Sequence, residues 1–267
     1  MCIAAMPLAV VTGANRGLGL AAAQLLAGEG YSVLAVARRA ADARCAAERL
    51  PGGVGRHAAA ELDVRALAKD SDAAEAVVEV ARRASADAGG VALLVNNAGV
   101  YLDSWDAAAF EESFEVNVIG PVRLAQALMQ ADAFEKENEA CVLNVSSGYG
   151  KLSEVSEGYR RRLGACETVD EVLSLPFDAS DAAMATAFVA PYKVSKAALN
   201  RATRLMAEQW EPRGVRVAAV CPGWCRTRMG GAEATRSAEQ GARSILAGRG
   251  AALGGDGFSR DGKPVVW

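Results

Sequence analysis

Short stretches of consecutive apolar residues alternate along this chain with longer stretches in which apolar residues recur every three or four positions. The consecutive stretches predict strands buried on both faces of a sheet, and the periodic stretches predict helices. The strands are expected at 8–14, 31–39, 57–64, 91–99, 140–147 and 214–223, and the helices at 17–30, 42–52, 66–86, 110–129 and from Tyr192 onward. Strands separated by helices form parallel βαβ units. The pattern therefore predicts the α/β class, with one domain over residues 1–267 and a doubly wound, mainly parallel sheet.

Two segments depart from this alternation. Residues 151–190 lie between a predicted strand and the helix that opens at Tyr192, and they carry many charges. Because a loop of that length without secondary structure is unusual in a compact domain, we expect short surface helices there, as a helical insertion before the helix of Tyr192. Residues 228–267 follow the last predicted strand, and the pattern does not place their elements.

Composition and charge exclude several classes of partner. The 267 residues are 51% hydrophobic and 23% charged, and the net charge is −3 with the two signs interspersed. No basic patch indicates nucleic-acid binding, and no apolar run is long enough to cross a bilayer. The first residues lack the charged region of a secretory signal. We expect a cytoplasmic protein without membrane or nucleic-acid partners.

The cysteines and the single histidine predict no metal centre. Cys221 and Cys225 are four positions apart, with no second cysteine pair or histidine beside them. A His-based metal site or a Ser-His-Asp triad would have to use His57, the only histidine. The six cysteines of this long chain form no dense disulfide framework, which fits reduced thiols in the cytosol.

A glycine-rich turn links the first predicted strand to the first helix. It contains Gly13, Asn15, Arg16, Gly17, Leu18 and Gly19. Glycines at such a turn let the backbone approach a pyrophosphate, and the helix that follows offers free N–H groups and the positive end of its dipole. The spacing is Gly-x3-Gly-x-Gly rather than Gly-x-Gly-x-x-Gly. The turn predicts a dinucleotide site, and an ordinary glycine-rich turn is the alternative.

The end of the second predicted strand favours one dinucleotide over the other. An NAD site places a carboxylate about 20 residues beyond the loop, where it accepts from the ribose 2′-OH. This chain has Arg38 and Arg39 there, and an arginine can instead pair with a 2′-phosphate. Together with Arg16 they predict NADPH/NADP+ as the cofactor, unless Arg38 and Arg39 are simply solvated charges.

Tyr192 and Lys196 are four residues apart on a predicted helix. Residues i and i+4 share one helix face, so the ammonium can lower the pKa of the phenol. A phenol tuned in this way can give a proton to a carbonyl oxygen or take one from an alcohol. Such a spacing also occurs by chance, so it acquires weight only from the segments around it.

Several ordered motifs resemble those of the short-chain dehydrogenase/reductase family. They are TGANRGLG at 12–19, LDV at 62–64, NNAG at 96–99, Asn117, NVSS at 144–147, YKVSK at 192–196 and CPGWCRT at 221–227. The resemblance extends from the first strand to about Met229. The long insertion and the C-terminal residues look most like the carbonyl reductase branch, which includes menthone- and salutaridine-reductase-like enzymes. The resemblance implies a Rossmann fold and a nicotinamide cofactor.

The resemblance also implies a role for each matching residue. Tyr192 would be the general acid/base, Lys196 would lower its pKa and bind the nicotinamide ribose, and Ser147 rather than Ser146 would polarise the carbonyl. Asn117 would hold a water in a proton relay, with a core polar residue as the alternative. The remaining cofactor contacts would come from Asp63, Val64, Asn97, Ala98, Gly99, Pro222, Gly223 and Thr227.

Two features depart from the common family pattern. Arg228 stands where relatives often carry an acidic residue, and we expect it to be exposed. The insertion at 151–190 would wall the substrate pocket together with residues 228–267. In the carbonyl reductase branch it covers the helix face that other members use for tetramers, so the resemblance implies a monomer.

These residues predict NADPH-dependent reduction of a small-molecule carbonyl compound, which is a ketone, an aldehyde or a quinone. The alternatives are an NADP-dependent alcohol dehydrogenase, a reductase of conjugated alkenes, and a non-catalytic NADP(H)-binding sensor. The presence of Asn117, Ser147, Tyr192 and Lys196 argues against the sensor, because a protein that only binds the cofactor does not need an acid/base set.

Overall fold

Eight strands form a single sheet within the residues that the computed structural model describes, which are 6–52, 56–136, 139–250 and 258–267. The strands are β1 (Leu8–Thr12), β2 (Ser32–Ala37), β3 (Ala58–Glu61), β4 (Val91–Asn96), β5 (Ala140–Val145), β6 (Val215–Val220), β7 (Phe258–Arg260) and β8 (Lys263–Pro264). Their spatial order is β3-β2-β1-β4-β5-β6-β7-β8. Strands β1 to β7 pair in parallel, and β8 pairs antiparallel with β7.

The strand order reverses between β1 and β4. In an open parallel sheet, such a reversal opens a crevice at the carboxyl ends of the strands, and dinucleotides bind there. The predicted α/β class and doubly wound parallel sheet are therefore confirmed.

Ten α-helices occur in the described residues. They are α1 (Gly17–Gly28), α2 (Ala40–Glu48), α3 (Glu75–Ala84), α4 (Ala107–Phe114), α5 (Gly120–Gln130), α6 (Glu157–Ala165), α7 (Val169–Leu173), α8 (Ala182–Ala185), α9 (Ala190–Trp210) and α10 (Ala238–Ala247). One face of the sheet packs against α1, α2 and α10, and the other packs against α3, α4, α5 and α9. Both faces are covered, which is why the central strands are almost wholly apolar.

The insertion forms the short helices α6, α7 and α8, as the sequence predicts. Their apolar residues Tyr159, Leu163 and Val172 are fully buried and extend the core that α9 shares with the sheet. Arg201 of α9 donates hydrogen bonds to the carbonyl oxygen of Cys166, at the end of α6. The insertion is therefore packed against α9 rather than projecting from it.

Helical periodicity overestimates two of the helices. Residues 66–86 contain two 3₁₀ turns before α3, because the Asp70 side chain caps the second turn by accepting from the Asp72 N–H. Residues 110–129 include a π-helical turn, Glu115–Ile119, between α4 and α5. Gly120 and Pro121 open α5 after this turn, where the missing N–H of a proline does little harm.

The C-terminal segment contains elements that the periodicity did not reveal. Ser237 and Gln240 form a reciprocal capping box at the start of α10, and this Ser-x-x-Gln spacing is readable in the sequence. Strands β7 and β8 are too short to give a pattern. Within the part of the chain that the structure describes, no helix is both long and apolar enough to span a bilayer.

Candidate active site

The carboxyl ends of β1, β4, β5 and β6 carry most of the predicted site residues. The glycine-rich turn follows β1, Asn97 to Gly99 follow β4, Ser147 follows β5, and Pro222 follows β6. Helix α9 lies against β6 and places Tyr192 and Lys196 over the same edge. The sheet thus brings together segments that are far apart in the chain.

The glycine-rich turn depends on glycine at three positions. Gly13 and Gly17 have φ angles of 64° and 54°, in the left-handed region that side chains disfavour. A Cβ atom on Gly19 would lie 2.3 Å from the Gly13 carbonyl oxygen and 2.5 Å from Asn97 Nδ2. The close approach of α1 to this turn therefore excludes any side chain at position 19.

Thr12, the first residue of the TGANRGLG motif, joins this turn to the segment after β4, a link that the sequence did not predict. Its Oγ1 atom accepts hydrogen bonds from the backbone N–H groups of Asn97 (2.9 Å) and Ala98 (3.0 Å). The Asn97 side chain in turn donates to the Thr12 carbonyl oxygen at 2.9 Å. A polar residue at the end of an otherwise apolar strand is the sequence signal for such a link.

The start of α1 is suited to an anion. Arg16 precedes the helix without a side-chain cap, and the first turn contains no acidic residue, so its N–H groups face no negative side chain of their own helix. Arg16, Arg38 and Arg39 are exposed, and none forms a hydrogen bond or ion pair through its side chain within the described residues. Glu61 instead accepts from the Ala40 N–H at 2.9 Å. The turn and these cations fit a phosphorylated dinucleotide.

Asp63 and Val64 follow β3 at the same edge. Val64 is buried, whereas Asp63 is exposed and accepts a hydrogen bond from the Arg65 N–H at 3.1 Å. The Leu62 N–H donates to the Ala37 carbonyl at 2.9 Å and aligns this segment with the end of β2. Asp63 and Val64 therefore lie beside the end of β2, where Arg38 and Arg39 follow the strand.

Asn117 lies in the π-helical turn and is fully buried. Its side chain binds both backbone groups of Val100 and donates to Ser195 Oγ at 3.0 Å. A Cβ atom on Gly99 would lie 3.1 Å from Asn117 Oδ1 and 3.8 Å from Lys196 Nζ, so these two polar atoms flank the same glycine. The π-helical turn, which is frequent at functional sites, brings Asn117 close to Lys196.

Ser147, Tyr192 and Lys196 form one cluster. The Ser147 hydroxyl is close enough to the Tyr192 phenol to influence its pKa, and Lys196 Nζ lies 5.7 Å from the centre of the Tyr192 ring. Lys196 also donates to the Val145 carbonyl at 2.8 Å, which ties it to the end of β5. Ser146, the alternative serine, is buried and its hydroxyl has no hydrogen-bond partner in the described residues. The geometry therefore favours Ser147 as the partner of Tyr192.

Burial dominates the proton affinities of this cluster. It raises the pKa of the Tyr192 phenol above its ordinary value, although the nearby Ser147 hydroxyl acts in the opposite direction. It also lowers the pKa of Lys196 to about 8. The sequence predicts that Lys196 lowers the pKa of Tyr192, whereas burial of the phenol is the largest influence in this structure and raises that pKa.

Helix α9 begins from a strained residue. Val189 precedes it with φ 48° and ψ 42°, a left-handed conformation that is costly for a β-branched side chain. The Asp103 carboxylate accepts a hydrogen bond from the Val189 N–H at 2.5 Å. This contact fixes the start of the helix three residues before Tyr192.

The segment after β6 reaches back to the glycine-rich turn. A Cβ atom on Gly17 would lie 3.4 Å from Thr227 Cγ2. Gly223 has a φ of 80°, and a Cβ atom there would lie 2.7 Å from Arg236 Cδ, so Pro222 and Gly223 form a tight turn. Arg228 is exposed and forms no hydrogen bond or ion pair through its side chain within the described residues. Thr227 thus lies next to the predicted phosphate site.

Three aromatic residues that the sequence analysis did not identify surround Tyr192. The ring centres of Tyr101 and Tyr149 lie 4.8 Å and 6.4 Å from that of Tyr192, and Phe188 packs edge-on against Tyr101 at 6.4 Å. Phe188 is 58% exposed and Tyr149 is 37% exposed. Tyr101 follows β4, Tyr149 follows β5 and Phe188 precedes α9. Because all three lie in turns, no hydrophobic periodicity of a helix or strand marks them in the sequence.

The histidine has a structural role. His57 Nδ1 accepts from the Val33 N–H at 3.2 Å, and Nε2 lies 2.8 Å from the Pro51 carbonyl, a pattern that requires the proton on Nε2. The described residues contain no group of three His, Cys, Asp or Glu side chains placed to hold a metal ion.

Comparison with known proteins gives consistent matches over almost the whole chain. A family model described as short chain dehydrogenase matches residues 7–158, and one described as enoyl-(acyl carrier protein) reductase matches residues 171–252. The chain is 29% identical over 251 residues to the short-chain dehydrogenase anuI of Penicillium roqueforti, covering 92% of this chain and 89% of that protein. It is also 29% identical over 274 residues to (+)-neomenthol dehydrogenase of Arabidopsis thaliana, covering 88% of each.

A solved structure agrees with this result. Salutaridine reductase from Papaver somniferum matches with a TM-score of 0.74 and 25% identity, over 96% of this chain and 98% of that one. The first family model alone covers more than half of the chain, and it includes the glycine-rich turn, Asn117 and Ser147. The chain therefore belongs to the short-chain dehydrogenase/reductase family, whose members are oxidoreductases that bind a nicotinamide cofactor.

Proposed function

We propose that this protein uses NADPH to reduce the carbonyl group of a ketone, an aldehyde or a quinone to an alcohol. The observation that carries the proposal is the convergence of the Ser147 hydroxyl, the Tyr192 phenol and the Lys196 amine at the carboxyl end of β5. Two hydroxyl groups that meet at one point can both donate to a single carbonyl oxygen. The similarity to a salutaridine reductase and a neomenthol dehydrogenase supports chemistry at a carbonyl or alcohol carbon.

The chain's own residues account for the polar part of the reaction. The nicotinamide, when bound, supplies the hydride. Ser147 and Tyr192 donate to the carbonyl oxygen as negative charge develops on it, and Tyr192 then transfers its proton to that oxygen. The raised pKa of Tyr192 keeps the phenol protonated at neutral pH, as a proton donor requires. Lys196 and Asn117, which flank Gly99, lie where a proton can be returned to the tyrosine.

The exposed arginines support NADP(H) as the cofactor. Arg38 follows β2, the strand next to β1, and neither it nor Arg39 forms an ion pair with a carboxylate within the described residues. A 2′-phosphate at this position would form charge-assisted hydrogen bonds with them. The nearby Glu61 carboxylate accepts a hydrogen bond from the Ala40 N–H and forms no ion pair with Arg38 or Arg39.

The packing of the insertion supports a monomer. Helices α6 and α7 bury Tyr159, Leu163 and Val172 against the core on the side of α9. A second subunit that used this face of α9 would have to displace them. Sedimentation equilibrium should therefore give the mass of one chain, and a concentration-dependent dimer or tetramer mass would contradict this expectation.

Loss of NADPH absorbance with a panel of ketones, aldehydes and quinones tests the reaction. We expect turnover that falls on the order of 10²-fold or more in Tyr192→Phe, which removes the proton donor but keeps the ring. Tyr31→Phe is the matched control, because Tyr31 lies at the start of β2, away from this edge. Both variants should bind NADPH with the affinity of the wild type.

The same assay separates the alternatives. Turnover only of alcohols with NADP+, or only of conjugated alkenes, would replace the proposal with the corresponding reaction. NADPH binding without turnover of any of these compounds would favour the sensor. Near-normal turnover by Tyr192→Phe would refute the assignment of the proton donor.

A further inference from the structure

Arg260 has a guanidinium group that forms no ion pair with a carboxylate within the described residues, although Asp261 is close enough to interact with it electrostatically. It is half-buried at the end of β7, and its Nε and Nη2 atoms donate to Cys221 Sγ at 3.3 Å and 3.0 Å. A thiol is a weak acceptor. It engages two of the five guanidinium N–H donors, so three donors remain. The thiol therefore does not satisfy the hydrogen-bonding capacity of this guanidinium.

The neighbouring arginines differ in this respect. Arg236 forms a two-bond ion pair with Asp261, at 2.8 Å and 2.6 Å. Arg249 is paired with Glu29 at 2.8 Å. The other partly buried arginines around β6 and β7 thus form close ion pairs, and both Asp261 oxygens are engaged by Arg236, whereas Arg260 forms no such pair within the described residues.

The guanidinium of Arg260 lies beside the catalytic cluster. Its Nη2 atom is 2.8 Å from the position that a Cβ atom on Gly148 would occupy, and Gly148 directly follows Ser147. Cys221, which Arg260 contacts, is close enough to Tyr192 and Lys196 to influence their pKa values. Arg260 therefore extends from β7 across the end of β6 toward the end of β5.

This position is separate from the predicted phosphate site. Four strand spacings, roughly 19 Å, separate β7 from β1 in the sheet. Arg16 and Arg38 lie at the end that contains β1 and β2. An anion bound by Arg260 next to Ser147 would thus belong to the substrate rather than to the phosphates of the cofactor.

We propose that Arg260 binds a carboxylate of the substrate, so that the preferred substrates are carbonyl compounds that carry a carboxylate within reach of Ser147. Arginine suits this role because its planar fork matches a carboxylate with two parallel hydrogen bonds. The rings of Tyr101 and Tyr149 beside Tyr192 supply an apolar surface for an aromatic body. This inference names the substrate class of the proposed carbonyl reduction and rests on it.

The test compares matched substrates. The three carboxybenzaldehydes and their methyl esters would be assayed with the wild type, Arg260→Gln and Arg260→Lys. In Arg260→Gln we expect kcat/KM for at least one acid to fall roughly 10- to 100-fold, mainly through KM, because hydrogen bonds between charged groups are worth about that factor. The matching ester and the Kd for NADPH should change less than about twofold. Arg260→Lys keeps the charge but loses the planar fork of N–H donors, so its kcat/KM for the acid should lie between those of the wild type and Arg260→Gln.

A second cation gives the matched control. Arg44→Gln removes an exposed charge from α2, which packs against β2 and β3 at the other end of the sheet. It should leave the ratio of acid to ester unchanged. An equal loss in Arg44→Gln would mean that overall charge is responsible, and it would overturn the proposal. The proposal would also be overturned if Arg260→Gln left the ratio of acid to ester unchanged. It would be overturned too if the main effect of Arg260→Gln were weaker binding of NADPH.

A binding measurement remains informative even if no aldehyde is reduced or a variant does not fold. Calorimetry on the wild-type complex with NADP+ should show benzoate binding at least about tenfold more tightly than benzamide. Equal affinities would overturn the proposal for Arg260. Failure to reduce any ester, with benzoate still preferred, would instead count against the proposed carbonyl reduction and leave the carboxylate site supported.

Discussion

Asn117 binds both backbone groups of Val100, accepting from its N–H at 2.9 Å and donating to its carbonyl oxygen at 3.0 Å. This pair of hydrogen bonds joins the π-helical turn to the segment that follows β4. The same Asn117 amide donates to Ser195 Oγ, which itself donates to the Tyr192 carbonyl. One buried side chain thus links the segment that follows β4 to the start of α9, which carries Tyr192.

Substitution of Asn117 should weaken the fold as well as the reaction. Asn117→Ala leaves the Val100 groups without their partner, and we expect the free energy of unfolding in urea to fall by about 1–3 kcal/mol. Asn117→Asp can still accept from the N–H but cannot donate to the carbonyl, so it should lie between the wild type and the alanine variant. A wild-type unfolding curve for Asn117→Ala would show that the contact is dispensable.

Reversal of the charge at position 38 should weaken the binding of NADPH more than that of NADH. Arg38→Asp removes a partner for the 2′-phosphate, and we expect the Kd for NADPH to rise about 10- to 100-fold. Arg44→Asp makes the same change of charge at an exposed position of α2 and is the matched control. Fluorescence titration with both cofactors measures the effect. Tighter binding of NADH than of NADPH by the unmutated protein would exclude the assignment of NADP(H).

Two glycines of α1 should respond in opposite ways to alanine. At Gly19 a Cβ atom would lie 2.3 Å from the Gly13 carbonyl oxygen, so Gly19→Ala should displace the turn, weaken NADPH binding and lower stability. At Gly28 no atom lies within 4 Å, and Gly28→Ala should be neutral or stabilising by up to about 1 kcal/mol. Urea unfolding and NADPH titration of both variants test the difference. Equal behaviour would mean that the turn is not closely packed.

The buried amine should make stability depend on pH in a defined window. The pKa of Lys196 is lowered to about 8 in the folded chain, below its ordinary value of 10.5, so between these values the unfolded chain binds more protons. Stability contributed by this group must therefore rise as the pH increases from about 8 to 10. Tyr192, with its raised pKa, acts in the opposite direction only above about pH 10, where an unfolded tyrosine ionises.

Comparison with Lys196→Met isolates this effect. Between pH 7 and pH 10 the wild type should gain on the order of 2 kcal/mol relative to the methionine variant, measured by urea unfolding at each pH. Parallel pH profiles for the two proteins would show that Lys196 keeps its ordinary pKa in the folded state.

The sequence predicted those features that local chemistry determines. The apolar strands, the glycine-rich turn after β1 and the short helices of the insertion follow from patterns within a few residues of each other. The predicted bounds of two helices differ from the observed ones, because local features interrupt the helical periodicity there. Asp70 divides the predicted helix at 66–86, and the π-helical turn at Glu115–Ile119 lies inside the one predicted at 110–129.

The family motifs located the candidate residues but not their neighbours. Ser147 and Tyr192 were named from the motifs, and the structure brings them together. The contacts of Thr12, Tyr101 and Tyr149 were not predicted, because each contributes to the site through a residue distant in the chain. No pattern along a single element reports such contacts.

The amino-acid sequence by itself determined the alternation of buried strands and helices and the spacing of Tyr192 and Lys196, because these depend on hydrophobicity and on the geometry of one helix. Only the tertiary structure decided that Arg260 lies beside Ser147 and that burial raises rather than lowers the pKa of Tyr192. Both results depend on which segments the sheet brings together and on how much water they exclude. Desolvation is a property of the packed chain, and no four-residue spacing encodes it.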